Sequence, residues 1–273
     1  MRTLAHISDL HFGRLDPSIV PALQASIVAS RPDVIVVSGD LTQRARDEQF
    51  AAARRFLDSL PGARIVVPGN HDVPLYNVFA RWLSPLAAYR RHIGDDVEPF
   101  YADDEIAVLG INTARSLTFK NGRINRLQVQ RGCARLDTCA ATATRIIVTH
   151  HPFDLPVGGD ESDVVGRAAM AISGFARCRV DMILSGHLHL GNAAPTPVRY
   201  GETGYSALLI RAGTATSSRL RAELNSYNVI RIERPLATIE RLSWNEERGG
   251  FEISSTGQFR LTSRGWSPVS GNP

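Results

Sequence analysis

The chain has 273 residues, 43% of them hydrophobic and 21% charged, and a formal net charge of +4. These values are ordinary for a soluble globular protein and argue against a disordered or fibrous chain. Because the arginines are scattered rather than grouped in one tract, the positive charge suits a phosphate-bearing small molecule better than a nucleic acid.

The first residues, MRTLAHISDL, contain neither the apolar core nor the small-residue cleavage site of a secretory signal. Since no apolar run reaches the roughly 18 residues of a membrane helix, we expect a cytoplasmic protein without membrane insertion. Cys133, Cys139 and Cys178 are odd in number and lack Cys-x-x-Cys spacing. This pattern favours small packing residues over a disulfide framework or a thiolate metal site.

Short β-branched runs predict buried strands over residues 3–8, 34–38, 64–67, 106–111, 145–149 and 182–185. Helical stretches lie between the early strands. The first, residues 17–29, follows Asp16 as a candidate N-cap, and the second, residues 47–60, ends at Pro61 and Gly62. This alternation of strand and helix predicts a largely parallel sheet.

Residues 74–93 form an aromatic-rich stretch with helical character, which includes Tyr76, Phe79, Trp82 and Tyr89. The stretch begins directly after a candidate catalytic loop. Both a core-packing helix and a lid beside the site are compatible with this position.

From Ser206 onward the pattern changes to strands without intervening helices, over residues 207–212, 227–233, 237–244 and 251–254. These strands predict a second, mostly antiparallel sheet. We therefore expect an α/β fold in which two sheets pack face to face and helices flank both sides. Residues 1–265 would form one domain, followed by a loose tail over residues 266–273.

Histidines concentrate where the predicted strands end. Six of the eight lie at or just beyond a strand end: His11, His71, His150, His151, His187 and His189. Because the carboxyl ends of parallel strands meet at one edge of a sheet, this pattern predicts a site that gathers side chains distant in sequence.

Five short motifs at these strand ends carry oxygen and imidazole ligands: Asp9-Leu10-His11, Gly39-Asp40, Gly69-Asn70-His71-Asp72, His150-His151 and Gly186-His187-Leu188-His189. Such a set suits two divalent cations, because a shared carboxylate reduces their mutual repulsion while neutral imidazoles leave them Lewis acidic. None of the motifs contains cysteine, which favours Mn, Fe or Zn in mixed nitrogen and oxygen sites.

The motif series resembles the calcineurin-like metallophosphoesterases, and within them the bacterial class III cyclic-nucleotide phosphodiesterases. The resemblance runs along nearly the whole chain through the segments HISDLHFG, SGDLTQRA, VPGNHDVP, LGINTARS and AGTATSSRL, the last followed by NSYNVI. It implies a two-sheet sandwich flanked by helices, an α/β/β/α architecture that agrees with the pattern of predicted elements.

The resemblance also implies a role for each matching residue. The first metal would be bound by Asp9, His11, Asp40 and His189, and the second by Asp40, Asn70, His150 and His187. In the family, a metal-bridging hydroxide attacks phosphorus in line with the leaving oxygen. His71 matches the family histidine that stabilises the transition state and can protonate the leaving alkoxide.

Other residues are candidates for binding the substrate or for holding the ligand loops in place. Asn70, His71 and His151 are candidate substrate-binding residues, although His151 equally suits a packing role. Asp72 would either orient a neighbouring imidazole or cap its own loop. Two loops, residues 113–128 and residues 154–166, are expected to shape the pocket.

The expected function is hydrolysis of a small-molecule phosphodiester, with a 3′,5′-cyclic nucleotide as one candidate. The residues after Asp40, Leu41-Thr42-Gln43-Arg44, and Asp72 after His71 differ from the motifs of protein phosphatases. A DNA nuclease, a broad phosphomonoesterase and a non-catalytic metal-binding scaffold are the alternatives, and the intact ligand positions disfavour the scaffold. The sequence leaves a homo-oligomer open.

Overall fold

The computed structural model describes residues 1–75, 78–116, 120–156, 158–201, 204–217 and 223–269. Within these ranges the strands are β1 (Arg2–Ile7), β2 (Val34–Ser38), β3 (Ala63–Val67), β4 (Phe100–Ala102), β5 (Ile106–Gly110), β6 (Thr144–Val148), β7 (Met182–Ser185), β8 (Asn192–Pro195), β9 (Leu208–Arg211), β10 (Ser226–Glu233), β11 (Leu236–Asn245), β12 (Gly250–Thr262) and β13 (Gly265–Pro268). The helices are α1 (Ile19–Ala29), α2 (Asp47–Asp58), α3 (Val78–Leu83), α4 (Ala87–His92), α5 (Arg126–Leu136), α6 (Ala168–Arg177) and α7 (Pro197–Tyr200). None of these helices combines the length and the apolar content that a bilayer span requires.

Apart from the aromatic stretch 74–93, the strands and helices predicted for the first 185 residues are all present, and their bounds differ from the expected ones by at most two residues. Shifts of two residues occur at the start of α1 and at the end of α2. Ser18 rather than Asp16 occupies the N-cap position of α1. The carboxylate of Asp16 instead accepts a 2.9 Å hydrogen bond from the backbone amide of Ser18.

The strands form two mixed sheets. Among the described residues, seven strands form the first sheet in the order β13-β12-β11-β10-β1-β2-β3, and six form the second in the order β4-β5-β6-β7-β9-β8. The prediction that the strands after Ser206 build a sheet of their own is wrong. β9 lies parallel to β7 in the second sheet, whereas β10 to β13 extend the first sheet beside β1. Local alternation identifies a strand but not its neighbour, because distant contacts decide the pairing.

Successive side chains of β2 point to opposite faces of the first sheet, as the two-residue period of a strand requires. Val34 and Val36 pack between the two sheets, whereas Ile35 and Val37 pack against α1 and α2. On the far side of the second sheet, α5 and α6 cover Ile147 and its neighbours. The layers therefore follow the order helix, sheet, sheet, helix, and the predicted α/β/β/α fold is confirmed.

The aromatic stretch 74–93 contains two short helices, α3 and α4, rather than one long helix. Pro85 lies between them and cannot continue a helical hydrogen-bond pattern. Tyr89 is buried and donates a 2.8 Å hydrogen bond to a carbonyl of β3. Phe79 and Trp82 are 81% and 72% exposed, and Tyr76 lies outside the described residues. Tyr89 on α4 therefore packs in the core, while these two aromatic side chains of α3 lie on the surface.

The predicted loose tail begins too early. Trp266 lies in β13, is 1% exposed, and donates a 2.8 Å hydrogen bond from its indole nitrogen to Oδ1 of Asp181. The hydroxyl of Tyr205 donates a 2.6 Å hydrogen bond to the same oxygen. Residues 266–269 are therefore part of the packed structure, since a buried tryptophan anchors them to a distant aspartate. Residues 270–273 lie outside the described ranges.

Cys133 and Cys178 form a disulfide, which corrects the expectation that the cysteines are unpaired packing residues. Cys133 lies on α5 and Cys178 directly follows α6, so their Cα atoms are 5.6 Å apart although 45 positions separate them in sequence. Spacing along the chain could not reveal this pair, because the contact arises from the packing of two helices. Cys139 has a free thiol.

Candidate metal centre

The seven predicted metal ligands converge where strands of the two sheets end. The loops after β1, β2 and β3 of the first sheet supply Asp9, His11, Asp40 and Asn70. The loops after β6 and β7 of the second sheet supply His150, His187 and His189. Parallel strands place their carboxyl ends at one edge of each sheet, and face-to-face packing brings the two edges together.

The first donor group surrounds Nε2 of His11. Nε2 of His189 lies 3.3 Å from that atom, Oδ1 of Asp9 lies 3.7 Å from it, and Oδ2 of Asp40 lies 3.9 Å from it. Ligand atoms bound at about 2.0–2.2 Å from one cation are themselves about 3.0–3.5 Å apart. The ligand atoms of the first donor group would therefore have to move only a few tenths of an ångström closer together to bind one cation.

The second donor group surrounds Nε2 of His150. Oδ1 of Asn70 lies 3.0 Å from that atom, Nδ1 of His187 lies 3.2 Å from it, and Oδ1 of Asp40 lies 3.5 Å from it. Asp40 thus directs Oδ2 toward the first donor group and Oδ1 toward the second. Two cations could therefore share the carboxylate of Asp40, each bound to one of its oxygens.

Burial and charge favour cations at both donor groups. Oδ1 of Asp9 accepts no hydrogen bond although the side chain is fully buried, an arrangement that is costly unless a cation satisfies the oxygen. Burial lowers the pKa of His11 to about 4, which leaves the imidazole in the neutral form that binds metals. Burial also opposes the charge of His150, but the carboxylates of Asp40 and Asp9 raise the pKa of that imidazole above its usual value. The residues present therefore fit two divalent cations.

Five of the seven predicted ligands have a left-handed backbone: Asp9 at φ 53°, His11 at 48°, Asp40 at 54°, His187 at 74° and His189 at 60°. This conformation is uncommon for residues other than glycine and costs on the order of 1–3 kcal/mol at each position. Gly39 precedes Asp40, and a Cβ on that glycine would lie 2.6 Å from Nδ1 of His150. The ligand loops are therefore strained turns that the surrounding structure must hold.

His71 lies beside both donor groups without belonging to either. Its backbone amide donates a 2.8 Å hydrogen bond to Oδ1 of Asp40, and its Nδ1 lies 3.0 Å from the carbonyl oxygen of Gln43. Nε2 of the Gln43 side chain lies 3.3 Å from the same Nδ1. The carbonyl contact is the shorter one, and because a carbonyl can only accept, it favours the tautomer with the proton on Nδ1, which leaves Nε2 of His71 for proton exchange. His71 also lines a cavity of about 230 Å³, together with the predicted ligands Asp40, Asn70, His187 and His189.

His151, for which both a substrate contact and a packing role were open, lies next to His150 in the interior of the protein. Its side chain is fully buried, with Nδ1 2.8 Å from the hydroxyl of Thr113 and Nε2 2.9 Å from the backbone oxygen of Lys120. Both ring nitrogens are thus engaged within the protein. This placement supports the packing role for His151 over the substrate contact.

Asp72 caps backbone amides, which is one of its two predicted roles. Its carboxylate accepts hydrogen bonds of 2.9–3.2 Å from the amides of Leu41, Thr42 and Gly69. Burial, together with the charge of Asp40, raises the pKa of Asp72 to about 6. The side chain therefore holds the loops of Asp40 and Asn70 against each other, and none of its described hydrogen bonds reaches an imidazole.

Three polar side chains that no ligand motif marks complete the cavity: Gln43, Arg44 and Lys120. Lys120 is the only lysine in the sequence, a signal that could have singled it out. It belongs to the loop 113–128 that was expected to shape the pocket. The second such loop, 154–166, contributes Asp163, whose carboxylate lies 2.5 Å from the ammonium of Lys120.

Comparison with known proteins agrees with this geometry. The family described as calcineurin-like phosphoesterase matches residues 2–191, a range that includes all seven predicted ligands. The glycerophosphodiester phosphodiesterase GpdQ of Enterobacter lignolyticus is 31% identical over 175 residues, which cover 59% of this chain and 60% of that protein. A putative metallophosphoesterase of Caenorhabditis elegans, F40B5.2, is 26% identical over 209 residues, 71% of this chain and 37% of that protein. The matches thus span less than two thirds of either relative.

Two solved structures share the architecture. A dimetal phosphatase from Danio rerio superimposes with a TM-score of 0.63 at 14% identity, over 88% of this chain and 95% of that chain. The purple acid phosphatase PPD1 from yellow lupin seeds gives a TM-score of 0.66 at 11% identity, over 92% of this chain and 52% of that chain. At these identities the similarity concerns the fold. The match over residues 2–191 goes further, and it establishes that the chain belongs to the calcineurin-like phosphoesterase family.

Proposed function

We propose that the protein is a metal-dependent phosphodiesterase that uses two divalent cations to hydrolyse a small phosphodiester. The observation that carries the proposal is the carboxylate of Asp40, whose two oxygens face two separate donor groups. The nitrogen and oxygen ligands suit Mn, Fe or Zn. Cations held there would lower the pKa of a water molecule and neutralise charge that develops on the phosphoryl oxygens.

The residues of the chain supply the other parts of the reaction. His71 is the proposed proton donor to the leaving oxygen, because its Nδ1 is fixed by the carbonyl of Gln43 and its Nε2 is left for exchange. Asn70 lines the cavity and is the proposed contact to both a cation and the substrate. Arg44 and Lys120 add positive charge to the cavity wall, which favours an anionic substrate.

A small diester is the proposed substrate class. GpdQ is named for a glycerophosphodiester substrate, so its similarity favours a diester over a monoester. Arg44 is the only arginine among the described residues that line the cavity. A DNA-binding groove would instead require a continuous basic track. Cyclic nucleotides and glycerophosphodiesters are therefore the two candidate groups.

The first experiment is a substrate panel with purified protein and added Mn²⁺. We expect hydrolysis of bis(p-nitrophenyl) phosphate and of a cyclic nucleotide or a glycerophosphodiester, with slower hydrolysis of p-nitrophenyl phosphate and no cleavage of plasmid DNA. Asn70→Ala and His187→Ala should abolish most of the activity, and chelation should abolish it in the wild type. Activity that survives both substitutions and chelation would contradict the two-cation proposal.

A further inference from the structure

A buried ion pair lies directly behind the loop that carries His187 and His189. Arg211, the last residue of β9, is 1% exposed. Its Nη1 lies 2.8 Å from Oδ1 of Asp154 and donates a 3.3 Å hydrogen bond to the carbonyl oxygen of the same residue. Asp154 follows β6 by a few residues, in the same segment as His150. Neither charged side chain belongs to a donor group.

Both members of the pair also form hydrogen bonds with the residues that follow His189 in the chain. Nε of Arg211 donates a 2.6 Å hydrogen bond to the carbonyl oxygen of Leu190. Oδ2 of Asp154 accepts a 2.8 Å hydrogen bond from the side-chain amide of Asn192. The pair therefore joins the segment after β6 to the segment after β7, and each of those segments presents predicted metal ligands.

The loop after β7 needs such a support. His187 and His189 both have left-handed backbones, at φ 74° and 60°, so the loop would relax toward other conformations if its contacts were lost. The contact from Arg211 falls on the residue directly after His189. A guanidinium suits this position because its planar group of N–H donors can contact the Leu190 carbonyl and Asp154 at the same time. A lysine ammonium lacks this fixed arrangement of donors.

We propose that the Arg211–Asp154 ion pair positions His189 and thereby sets the affinity of the cation at the first donor group. This inference rests on the proposed function, because it concerns cations proposed to bind there. Arg211 and Asp154 act through His189 rather than on the substrate, so both are positioning residues. Partners that orient metal ligands in this way typically change metal affinity by about 10- to 100-fold.

The test is calorimetric titration of metal-free protein with Mn²⁺, on the wild type and on Arg211→Lys and Asp154→Asn. Both variants should bind one Mn²⁺ with wild-type affinity and the other about 10- to 100-fold more weakly. The exchange-coupled electron paramagnetic resonance signal of a Mn²⁺ pair should then appear only at higher Mn²⁺ concentration. Activity should be low at limiting Mn²⁺ and return toward the wild-type value at saturating Mn²⁺.

Tyr205→Phe is the matched control. It removes a buried hydrogen bond to Asp181 at the amino end of β7, the end opposite the donor groups. We expect lower stability and unchanged Mn²⁺ affinity, so a general loss of packing is separated from a loss of positioning. If Arg211→Lys does not fold, Asp154→Asn still removes the charge of the pair with little change in volume, and Asn192→Ala removes the hydrogen bond that Asp154 accepts from Asn192.

The outcomes separate the inference from the proposed function. Wild-type protein that fails to bind two Mn²⁺ would contradict the proposed function itself. Wild-type protein that binds two Mn²⁺, together with a folded Asp154→Asn variant of unchanged affinity at both sites, would overturn the positioning role alone.

Discussion

The backbone amide of His187 donates a 2.9 Å hydrogen bond to Oδ2 of Asp9. Oδ1 of the same carboxylate faces His11 and His189, so a ligand of the first donor group is held by the backbone of a ligand of the second. The hydroxyl of Ser8 donates a further 2.6 Å hydrogen bond to Oδ2. A change at Asp9 should therefore affect both donor groups.

Asp9→Asn removes the negative charge while it preserves the size of the side chain. We expect the protein to retain at most one equivalent of metal after gel filtration, because the first donor group loses its unshared carboxylate. Activity should fall by about 10²-fold or more. Ser8→Ala, which removes only one supporting hydrogen bond, should cause a smaller loss. Two full equivalents of metal in Asp9→Asn, measured by elemental analysis, would contradict the assignment.

His71→Ala should leave both cations bound and slow turnover by about 10²-fold or more, as expected for loss of a general acid. The decrease should be larger for an alkyl diester than for a p-nitrophenyl diester, since a poor leaving group needs the proton more. Gln43→Ala keeps the backbone carbonyl that holds Nδ1 but removes the side-chain amide 3.3 Å from the same atom, so it should cause a smaller decrease than His71→Ala. An equal decrease for both leaving groups would remove the proton-donor role.

Lys120→Met should raise KM for the anionic substrate about two- to fivefold, with kcat and metal content little changed. The effect is small because the Lys120 side chain is 59% exposed and its ammonium already pairs with Asp163. Lys120→Arg should retain most of the affinity. Since the chain has no other lysine, reductive methylation modifies only this side chain and the terminal amine, and a bound product should slow the modification of Lys120. An unchanged KM in Lys120→Met would exclude the contact.

Trp266→Ala should lower the free energy of unfolding by about 3–5 kcal/mol, because it empties a buried site and leaves Asp181 with one donor fewer. Trp266→Phe retains most of the apolar contact and separates the hydrogen bond from the burial. Urea unfolding, monitored by circular dichroism, gives the free energy of unfolding of both variants. Metal content of the folded variants should equal that of the wild type.

The disulfide predicts a specific alkylation pattern. In denatured protein isolated from its own cells without reduction, Cys139 alone should react with iodoacetamide, and Cys133 and Cys178 should react only after reduction. A double Cys133→Ser and Cys178→Ser variant should lose about 4 kcal/mol of stability by the loop-closure argument. Three reactive thiols before reduction would instead support the reducing, cytoplasmic location expected from sequence.

The ligand positions could be predicted because each motif is local. Asp9 and Asp40 each lie two residues beyond the end of a strand, and parallel strands bring such ends together whatever the rest of the topology. The structure brings all seven predicted ligands into two donor groups, and their binding of metal stays a prediction. What sequence could not provide depends on contacts between distant segments. Arg211 and Asp154 are 57 positions apart, and nothing local marks either as a partner of the other.

Backbone strain was equally hidden. The left-handed backbone of Asp9 and His189 depends on the tertiary contacts of their turns, and the identity of the residue alone does not predict it. The same holds for the pairing of β10 with β1, because the hydrophobic pattern of β10 suits either sheet. The ligand motifs in the sequence therefore indicated the class of reaction. The residues that hold the ligand loops in place are evident only from contacts between distant segments of the folded chain.

The donor atoms come from two sheets, and unfolding would separate residues as far apart as Asp9 and His189. A cation that needs both sheets binds the folded chain and not the unfolded one. By thermodynamic linkage, free metal at 100 times its dissociation constant adds about 2.7 kcal/mol to the free energy of unfolding. Metal supply would thus govern the lifetime of the protein against proteolysis as well as its turnover.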